Sequence, residues 1–381
     1  MRLDYSVRGS VTDSRTGKAI PSVNIVVPDR HYATVSNTDG AFIIKSDSAI
    51  RELVFSCVGY KTLRLGVAGG EVSARMVPDK YLLDPSSIIS GDPAEIVRSA
   101  IRMVPRNYST KPELLKCFHR ETLLKRGRHI TVSEAVARIY KSSYNYLGRD
   151  DRVIVDKSRI IMSQRRRDTI SIKMMGGPTI AAYADIVKNP DILFEDFETG
   201  MYRFEMGAPE YIGDRLQFVI RFRPLRDASY ALFNGTLYID RESLSFTRVE
   251  MSIDVSDPVK VTRQVLVRKP FGLRFTPKEL SFVITYRMNQ GTNRLAYSRS
   301  TIRFNCDWKK RMIATSYTVI NENVVTDVIE PAVQIPRSQQ FRSTDILTDR
   351  ATEFDDPDFW KDYNIIEPTE SLEHAIHRLR K

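Results

Sequence analysis

Histidines that could act together with carboxylates are few in this sequence. The chain has five histidines, and His119, Glu121 and Glu134 form its one candidate polar cluster. His119 and Glu121 are two residues apart and so point to the same face of a strand, while His129 lies beyond a hairpin turn predicted at Gly127. A zinc site needs three or four protein ligands at suitable spacing, and neither HExxH nor HxxE occurs. We therefore interpret the cluster as structural and predict no metal site.

Other catalytic patterns are also missing from the sequence. No G-x-S-x-G elbow or S-x-x-K pair supplies a serine nucleophile, and no glycine-rich loop ends in Lys-Ser or Lys-Thr. Cys57, Cys117 and Cys306 are an odd and sparse set, which predicts small buried residues rather than disulfides. His374 and His377 share a helix face without a third ligand, which predicts surface positions. The sequence thus predicts no catalytic residues, no cofactor and no enzyme activity.

The positive charge of the chain is unevenly distributed. The net charge is +11, yet residues 351–381 hold eight acidic and four basic residues. The basic excess of residues 1–350 contains no block of five like charges, which is typical of a solvated surface and compatible with an anionic lipid or glycan partner. No nucleic-acid-binding motif occurs, so we predict no nucleic-acid partner. No run of eighteen apolar residues occurs, so we predict no transmembrane segment.

Residues 5–77 predict a small antiparallel β-sandwich. Short apolar strands alternate with turns about every eight to twelve residues, which is typical of such folds. Asp39-Gly40 predicts a tight turn, because glycine adopts a positive φ at no steric cost. Pro21 is predicted to open a strand, where its missing N–H does least harm. Phe42 and Tyr60 are predicted to fill the core.

Five short motifs follow one another in this region: Gly9-x-Val11-x-Asp13, Thr16-Gly17, Ile20-Pro21-x-Val23-Asn24-Ile25, Thr38-Asp39-Gly40-x-Phe42 and Phe55-Ser56-x-Val58-Gly59-Tyr60. Their order resembles the carboxypeptidase regulatory-like, or transthyretin-like, domain that is common in surface and periplasmic proteins of Bacteroidota. The structural motif residues that carry this resemblance are Gly17, Pro21, Asp39, Gly40, Phe42, Gly59 and Tyr60. The resemblance covers about a fifth of the chain. It implies a structural module without catalytic residues.

Residues 78–91 predict a linker, and residues 92–345 a helix followed by a β-meander. Asp92-Pro93-x-Glu95 predicts a helix start with Asp92 as N-cap, and Pro105 predicts its end. Beyond it, apolar and polar residues alternate in several segments, for example from Val249 to Val255, as in strands with one apolar face. One more helix is predicted near residues 179–188. We expect a mainly β fold, with a large, curved, half-barrel-like antiparallel sheet and a few helices.

Residues 346–381 predict an acidic tail that ends in a helix. Leu372, Ala375, Ile376 and Leu379 fall on one helical face, and Phe359 and Trp360 precede them. We interpret the tail as docked on the basic body of the protein. A mobile helix that binds a partner is the alternative.

The layout of the chain suggests a place in the bacterial envelope. The segment Gly235-x-Leu237-Tyr238-Ile239-Asp240 resembles part of the lipoprotein-carrier half-barrels. The succession of regulatory-like domain, capped helix, meander and aromatic tail is similar to Bacteroidota envelope proteins of unknown function. This resemblance implies a periplasmic or outer-membrane-associated protein. Residues 1–7 lack the pattern of a secretory leader, so no signal peptide is expected in this chain.

The leading functional hypothesis is a non-enzymatic cell-envelope protein for binding or scaffolding. The sandwich would act as a spacer, and the meander would bind an apolar or anionic ligand in the hollow of its sheet. The partner would be an envelope protein or a lipid or glycan ligand. Two alternatives stay open: a structural or assembly partner of an outer-membrane complex, and an unrecognised hydrolase whose residues converge from distant positions. A hollow filled by the protein's own side chains would argue against a ligand.

Overall fold

The fold is mainly β and combines a small N-terminal sandwich with a large antiparallel sheet. The computed structural model describes residues 3–28, 30–79, 91–145, 151–165, 168, 173–174, 177–289, 291–308, 314–329, 332–342, 345, 347 and 359–380. Most of the predicted linker and most of the segment 346–358 lie outside the described residues. Within the described part, no helix is long and apolar enough to span a membrane.

Seven strands build the sandwich: β1 (Tyr5–Asp13), β2 (Asn24–Val26), β3 (Ala33–Val35), β4 (Ala41–Ser46), β5 (Glu52–Ser56), β6 (Leu63–Gly66) and β7 (Glu71–Met76). One sheet has the order β4-β1-β7 and the other β3-β2-β5-β6. The rings of Phe42 and Phe55 meet edge to face in the core, with centroids 5.6 Å apart. The expectation of purely antiparallel pairing was wrong for β1 and β7, which run parallel. β7 returns to β1 only after the second sheet is complete, so no hairpin sets its direction.

The turn residues of the sandwich explain part of its sequence motif. Gly40 has a φ of +75°, and a Cβ there would lie 2.5 Å from the carbonyl oxygen of Val11. Only glycine fits such a position. Pro21 lies in the turn before β2 and is followed by Ser22, whose φ is 56°, so it does not open the strand itself.

Eleven strands of the described chain form the large sheet: β8 (Glu113–Lys125), β9 (Arg128–Lys141), β10 (Arg152–Met162), β12 (Tyr202–Met206), β13 (Glu210–Ile212), β14 (Arg215–Pro224), β15 (Phe233–Asp240), β16 (Phe246–Ile253), β18 (Leu273–Asn289), β19 (Thr292–Trp308) and β20 (Thr315–Ile329). Their order is β10-β9-β8-β20-β19-β18-β16-β15-β14-β12, and β13 also pairs with β14. The sheet is antiparallel and open, because β10 and β12 lie at its opposite ends. β11 (Lys173–Met174) and β17 (Leu266–Arg268) form a separate pair.

Five helices cover the apolar face of this sheet: α1 (Pro93–Arg102), α2 (Val104–Asn107), α3 (Thr179–Tyr183), α4 (Phe194–Glu198) and α5 (Pro258–Val265). Their apolar side chains and those of the sheet form one core cluster. Phe194 of α4, for example, stacks on Phe246 of β16 with centroids 4.8 Å apart. The apolar face is therefore largely filled by the protein's own side chains. We refer to it below as the helix face and to the opposite side as the sandwich face.

The predicted helices are present with shifted ends. Asp92 caps α1, since its carboxylate accepts a hydrogen bond from Ala94 N. Pro105 does not end that helix but lies in the first turn of α2, where its missing N–H is tolerated. The second predicted helix, near residues 179–188, is α3 and ends at Tyr183. Helix α5 was not predicted, although Asp257-Pro258 repeats the cap signal of Asp92-Pro93.

The described tail, residues 359–380, lies between the sandwich and the sheet. Thr34 Oγ1 of β3 donates to Ile365 O at 3.0 Å, and Lys45 N of β4 donates to Asn364 Oδ1 at 2.6 Å. Trp360 packs edge to face on Phe118 of β8. The terminal helix α6 (Glu370–Arg380) contacts β9 and β10 through Leu372 and Leu379, among others. The tail thus links both parts of the molecule.

Candidate functional site

The structure divides the polar cluster that the sequence suggested. His119 and Glu121 lie on the helix face of β8, next to core residues of the same parity such as Cys117. Glu134 of β9 pairs with Arg120 of β8 and lies on the sandwich face. His119 and Glu121 therefore share a face as expected, and Glu134 is separated from them by the sheet.

His119 is fully buried and interacts with an amide rather than with Glu121. Its Nδ1 lies 2.8 Å from Asn323 Oδ1 of β20. Because an amide oxygen only accepts, we assign the proton to Nδ1, which leaves Nε2 as an acceptor. Burial lowers the pKa of His119 to about 4, so the ring is neutral at pH 7. In the described chain, neither His119 Nε2 nor the buried Asn321 Oδ1 has a hydrogen-bond partner.

Glu134 anchors the tail through a buried ionic network. Its Oε1 accepts hydrogen bonds from Arg120 Nη2 at 2.6 Å and Nε at 2.8 Å, and its Oε2 accepts from Arg159 Nε and Trp360 Nε1 at 2.9 Å each. Burial opposes ionisation, but the two guanidinium groups and the indole N–H outweigh it and hold the pKa of Glu134 below its usual value. Arg120 also donates to Ile366 O at 2.8 Å. These contacts give Glu134 a structural explanation.

A second buried network fixes the turn after α3. Asp185 Oδ2 lies 2.6 Å from Lys141 Nζ and 2.7 Å from the hydroxyl of Tyr144, and its Oδ1 accepts from the hydroxyl of Tyr286 at 2.9 Å. Lys141 also pairs with Asp151 at 2.8 Å. Burial raises the pKa of both tyrosines well above the usual value, so neither ionises near neutral pH. The side chains of this network bind one another inside the protein. This arrangement indicates a structural rather than a catalytic role.

An apolar cavity of about 170 Å³ lies among described residues on the helix face. Residues of β15, β16, β18 and β19, together with Leu232 just before β15, form one wall: Leu232, Phe233, Met251, Ile253, Leu280, Phe282 and Ile302. Ile180 and Ala184, at α3, and Val265, at the end of α5, form another. For scale, a dry cavity of roughly 150 Å³ lined by Leu, Ile and Phe binds benzene. The cavity can therefore hold an aromatic ring or a short alkyl segment.

The mouth of this cavity is amphipathic. Tyr183 and Tyr230 belong to its lining and are each 41% exposed, so the cavity reaches the surface there. The hydroxyl of Tyr230 donates to Asp196 Oδ1, and the Gln264 side chain bonds to both backbone groups of Ala231. An occupant with an apolar end inside and a polar end at the surface fits this arrangement.

The lining also limits the chemistry of the cavity. It contains no His, Cys, Ser, Thr or Lys side chain among the residues that the structure describes. Its ionisable groups are Asp191, Asp196, Tyr183 and Tyr230. A serine, threonine, cysteine or lysine nucleophile next to a general base is therefore not found in the described part of this lining. Across the described ranges, no three His, Cys, Asp or Glu residues come together as a metal site.

The other predicted residues make the following contacts. Asp39 accepts a hydrogen bond from Glu370 N, at the start of α6, at 3.0 Å. The hydroxyl of Tyr60 donates to Asp13 Oδ2 at 2.9 Å. Gly17 and Gly59 have φ values of 69° and 75°. Among the cysteines, Cys117 and Cys306 are buried, Cys57 is partly buried, and all three are free thiols.

Comparison with known proteins identifies the sandwich. Residues 7–83 match the CarboxypepD_reg-like domain family, as the sequence motifs indicated. No curated protein matches the chain. Among solved structures, a DUF1329 family protein from Desulfovibrio piger is 9% identical, with a TM-score of 0.26, over 64% of this chain and 96% of that chain. A protein of unknown function from Bacteroides fragilis is 10% identical, with a TM-score of 0.16, over 86% of this chain and 98% of that chain.

Proposed function

We propose that this protein, which carries a carboxypeptidase regulatory-like domain, is a non-enzymatic binding protein of the cell envelope. It would act in the periplasm or at the outer membrane and hold the apolar part of a small amphipathic ligand. The observation that carries this proposal is the apolar cavity between the large sheet and helices α3 and α5.

The energetics of the cavity favour an apolar occupant over water. A buried water typically makes about three hydrogen bonds to polar groups that lack other partners. The inner wall, with Met251, Phe282 and Ile302, offers aliphatic and aromatic carbon instead. Each square ångström of apolar ligand surface removed from water contributes about 25 cal/mol. A ring or short chain inserted here would therefore bind by burial, with Tyr230 and Asp196 facing its polar end.

The size of the cavity sets the class of ligand. At about 170 Å³ it is too small for a whole diacyl lipid. Binding pockets for drug-sized ligands typically measure about 300–1,000 Å³. The expected ligand therefore enters the cavity only in part. One ring or one short alkyl segment lies inside, and the remainder of the ligand stays outside.

Binding of n-butylbenzene, followed by NMR line broadening and by thermal denaturation, tests this proposal. Ala231 is buried in the cavity lining, so Ala231→Leu adds three carbon atoms to the space that the ligand would fill. We expect a saturable stabilisation of the wild type and a loss of affinity of at least about tenfold in the variant, because the added side chain takes the place of the ring.

Ala228→Leu is the matched control, because Ala228 lies on the same loop and is not part of the cavity lining. This variant should bind like the wild type. Mass spectrometry of protein purified from an envelope extract should in addition detect a co-purifying amphipathic molecule. Absence of saturable butylbenzene binding, or equal binding by Ala231→Leu, would contradict the proposal.

A further inference from the structure

A second cavity, of about 380 Å³, lies between the sandwich and the large sheet. Both parts of the molecule line it, with Ser56 and Thr62 on the sandwich side and Thr247 and Thr285 on the sheet side. The two parts touch beside it, where Gly59 N donates to Tyr211 O at 2.9 Å. Ligand sites occur preferentially at domain interfaces, and the volume falls within the range of about 300–1,000 Å³ for small-molecule pockets.

The lining of this cavity contains more basic than acidic side chains. It contains Arg64, Arg215, Arg248 and Arg287, and Asp214 is its one acidic residue in the described chain. The first three arginines each have an acidic partner that is not part of the lining, namely Glu52, Asp240 and Glu250. These pairs hold the guanidinium groups in place around the cavity.

Arg287 differs from the other three because it has no ion pair among the described residues. Its Nη1 donates to Asn24 Oδ1 of β2 at 3.1 Å, which connects the sheet to the sandwich. It is partly exposed towards the cavity but surrounded by protein, and burial together with the nearby Arg294 lowers its pKa to about 10. The group remains charged at pH 7. The carboxylate nearest to Arg294, that of Glu113, is paired with Arg294 itself.

A partly buried cation without an anion is unfavourable, because it has lost water and gained no opposite charge. A guanidinium fork matches the oxygens of phosphate, with which it forms two parallel charge-assisted hydrogen bonds. The hydroxyl groups of Ser56, Thr62, Thr247 and Thr285 suit polar, hydroxyl-bearing groups as further partners.

We propose that the cavity between the sandwich and the sheet binds a phosphate monoester that carries hydroxyl groups, with Arg287 as the residue that holds its phosphate. The ligand would touch both parts of the protein at once and so stabilise their contact. This site is independent of the apolar cavity. On β18, Leu280 and Phe282 line the apolar cavity whereas Thr285 and Arg287 have the opposite parity and face the other side of the sheet.

Isothermal titration with glucose 6-phosphate tests the proposal, and glucose serves as the uncharged comparison. We expect saturable binding of the phosphate ester and no measurable binding of glucose. Arg287→Gln should weaken binding by at least about tenfold, because a hydrogen-bonded charge is lost. Arg274→Gln is the matched control on the same strand. Its side chain is 68% exposed and is not part of the cavity lining, so it should bind like the wild type.

Three results would overturn the proposal: no saturable binding of glucose 6-phosphate, equal binding of glucose, or unchanged affinity in Arg287→Gln. Val54→Phe fills the cavity from the sandwich wall without a change of charge, and it decides the question if Arg287→Gln does not fold. Unchanged binding by Val54→Phe would then count against the site. Dispersed lysophosphatidic acid, a lipid with a phosphate monoester and a hydroxyl group, is the competitor that separates two sources of the same chemistry: displacement assigns a lipid headgroup and no displacement a soluble sugar phosphate.

Discussion

The two faces of the large sheet differ in the side chains that they bury, with a larger apolar core on the helix face and more ion pairs on the sandwich face. Neighbouring residues of one strand show the difference: Phe282 and Ile284 of β18 pack into the core on the helix face, whereas Arg287 faces the sandwich. Apolar burial has no directional requirement, so the helix face can leave a cavity and still be stable. The sandwich face combines apolar contacts, such as that of Phe118 with Trp360, with directional hydrogen bonds and ion pairs. The directional contacts fix where the sandwich and the tail lie, and they are therefore the ones whose loss should cost most.

The helix face also buries polar side chains, in the Asp185 network and in the rows around His119. Asn321 and Asn323 of β20, with Ser298 and Ser300 of β19, join His119 on the helix face. Asn321 Nδ2 donates to Ser300 Oγ at 3.2 Å, while Asn321 Oδ1 and His119 Nε2 lack partners among the described residues. This polar stripe is less completely satisfied than the Glu134 network on the other face.

Removal of the Glu134 carboxylate, on the sandwich face, is expected to cause the largest loss in the free energy of unfolding. Glu134→Ala leaves Arg120, which is 3% exposed, buried without its carboxylate. Breaking one partner of a buried pair typically costs about 3–5 kcal/mol. Urea denaturation should therefore show a loss of this size in the free energy of unfolding.

Glu205→Ala is the control for a surface pair, because Glu205 and its partner Arg223 are 46% and 57% exposed. Exposed pairs contribute about 0–1 kcal/mol. If both substitutions cost the same, the ionic network does not hold the sandwich face together. Trp360→Phe keeps an aromatic ring but loses the hydrogen bond to Glu134, and it should cost less than Glu134→Ala.

The helix face should respond to acid through His119. Its pKa is about 4 in the folded protein and 6.5 without the fold, so between these values the unfolded chain binds a proton that the folded chain does not. The contribution to stability is therefore complete above pH 6.5 and is lost as the pH falls towards 4. The full difference amounts to roughly 3 kcal/mol, at about 1.4 kcal/mol per pH unit.

His119→Gln removes this titration, and the free energy of unfolding measured from pH 7 to pH 4 should fall less steeply than in the wild type. Glu121, whose pKa burial raises, is present in both proteins and cancels in the comparison. His374→Gln, which removes a histidine at an exposed position, is the control substitution. Parallel curves for the wild type and His119→Gln would show that the folded protein accommodates the imidazolium.

The separation of His119 from Glu134 by the sheet could not be predicted from the sequence. The turn at Arg126 and Gly127 sets Lys125 opposite Arg128, and this register, if continued, would place His119 opposite Glu134. A bulge between Leu123 and Leu124 shifts the register by one residue, so His119 pairs with Ala135 instead. A shift of one residue moves a side chain to the other face of the sheet. No residue type in the segment indicates this bulge.

The parts that the sequence did predict depend on local signals. The turn at Gly40 and the N-cap at Asp92 are read from neighbouring residues, and strand alternation identifies the apolar face without knowledge of the topology. The two cavities depend on contacts between distant segments, such as Asn24 with Arg287. Their lining residues carry no local pattern, so only the fold reveals them.

The smallest effect is expected at the N-cap of α5, a helix that the sequence interpretation did not predict. Asp257 Oδ1 accepts hydrogen bonds from Val259 N at 2.9 Å and Lys260 N at 3.2 Å. Asp257→Ala should lower the free energy of unfolding by about 1 kcal/mol, as is typical for the loss of a cap. Asp92→Ala at α1 removes the equivalent bond to Ala94 N and should cost about the same. Thermal denaturation compares the two variants directly.

Since α5 lines the apolar cavity through Gln264 and Val265, only Asp257→Ala should also weaken butylbenzene binding. Equal binding by both variants would mean that the end of α5 keeps its position on the helix face without its cap.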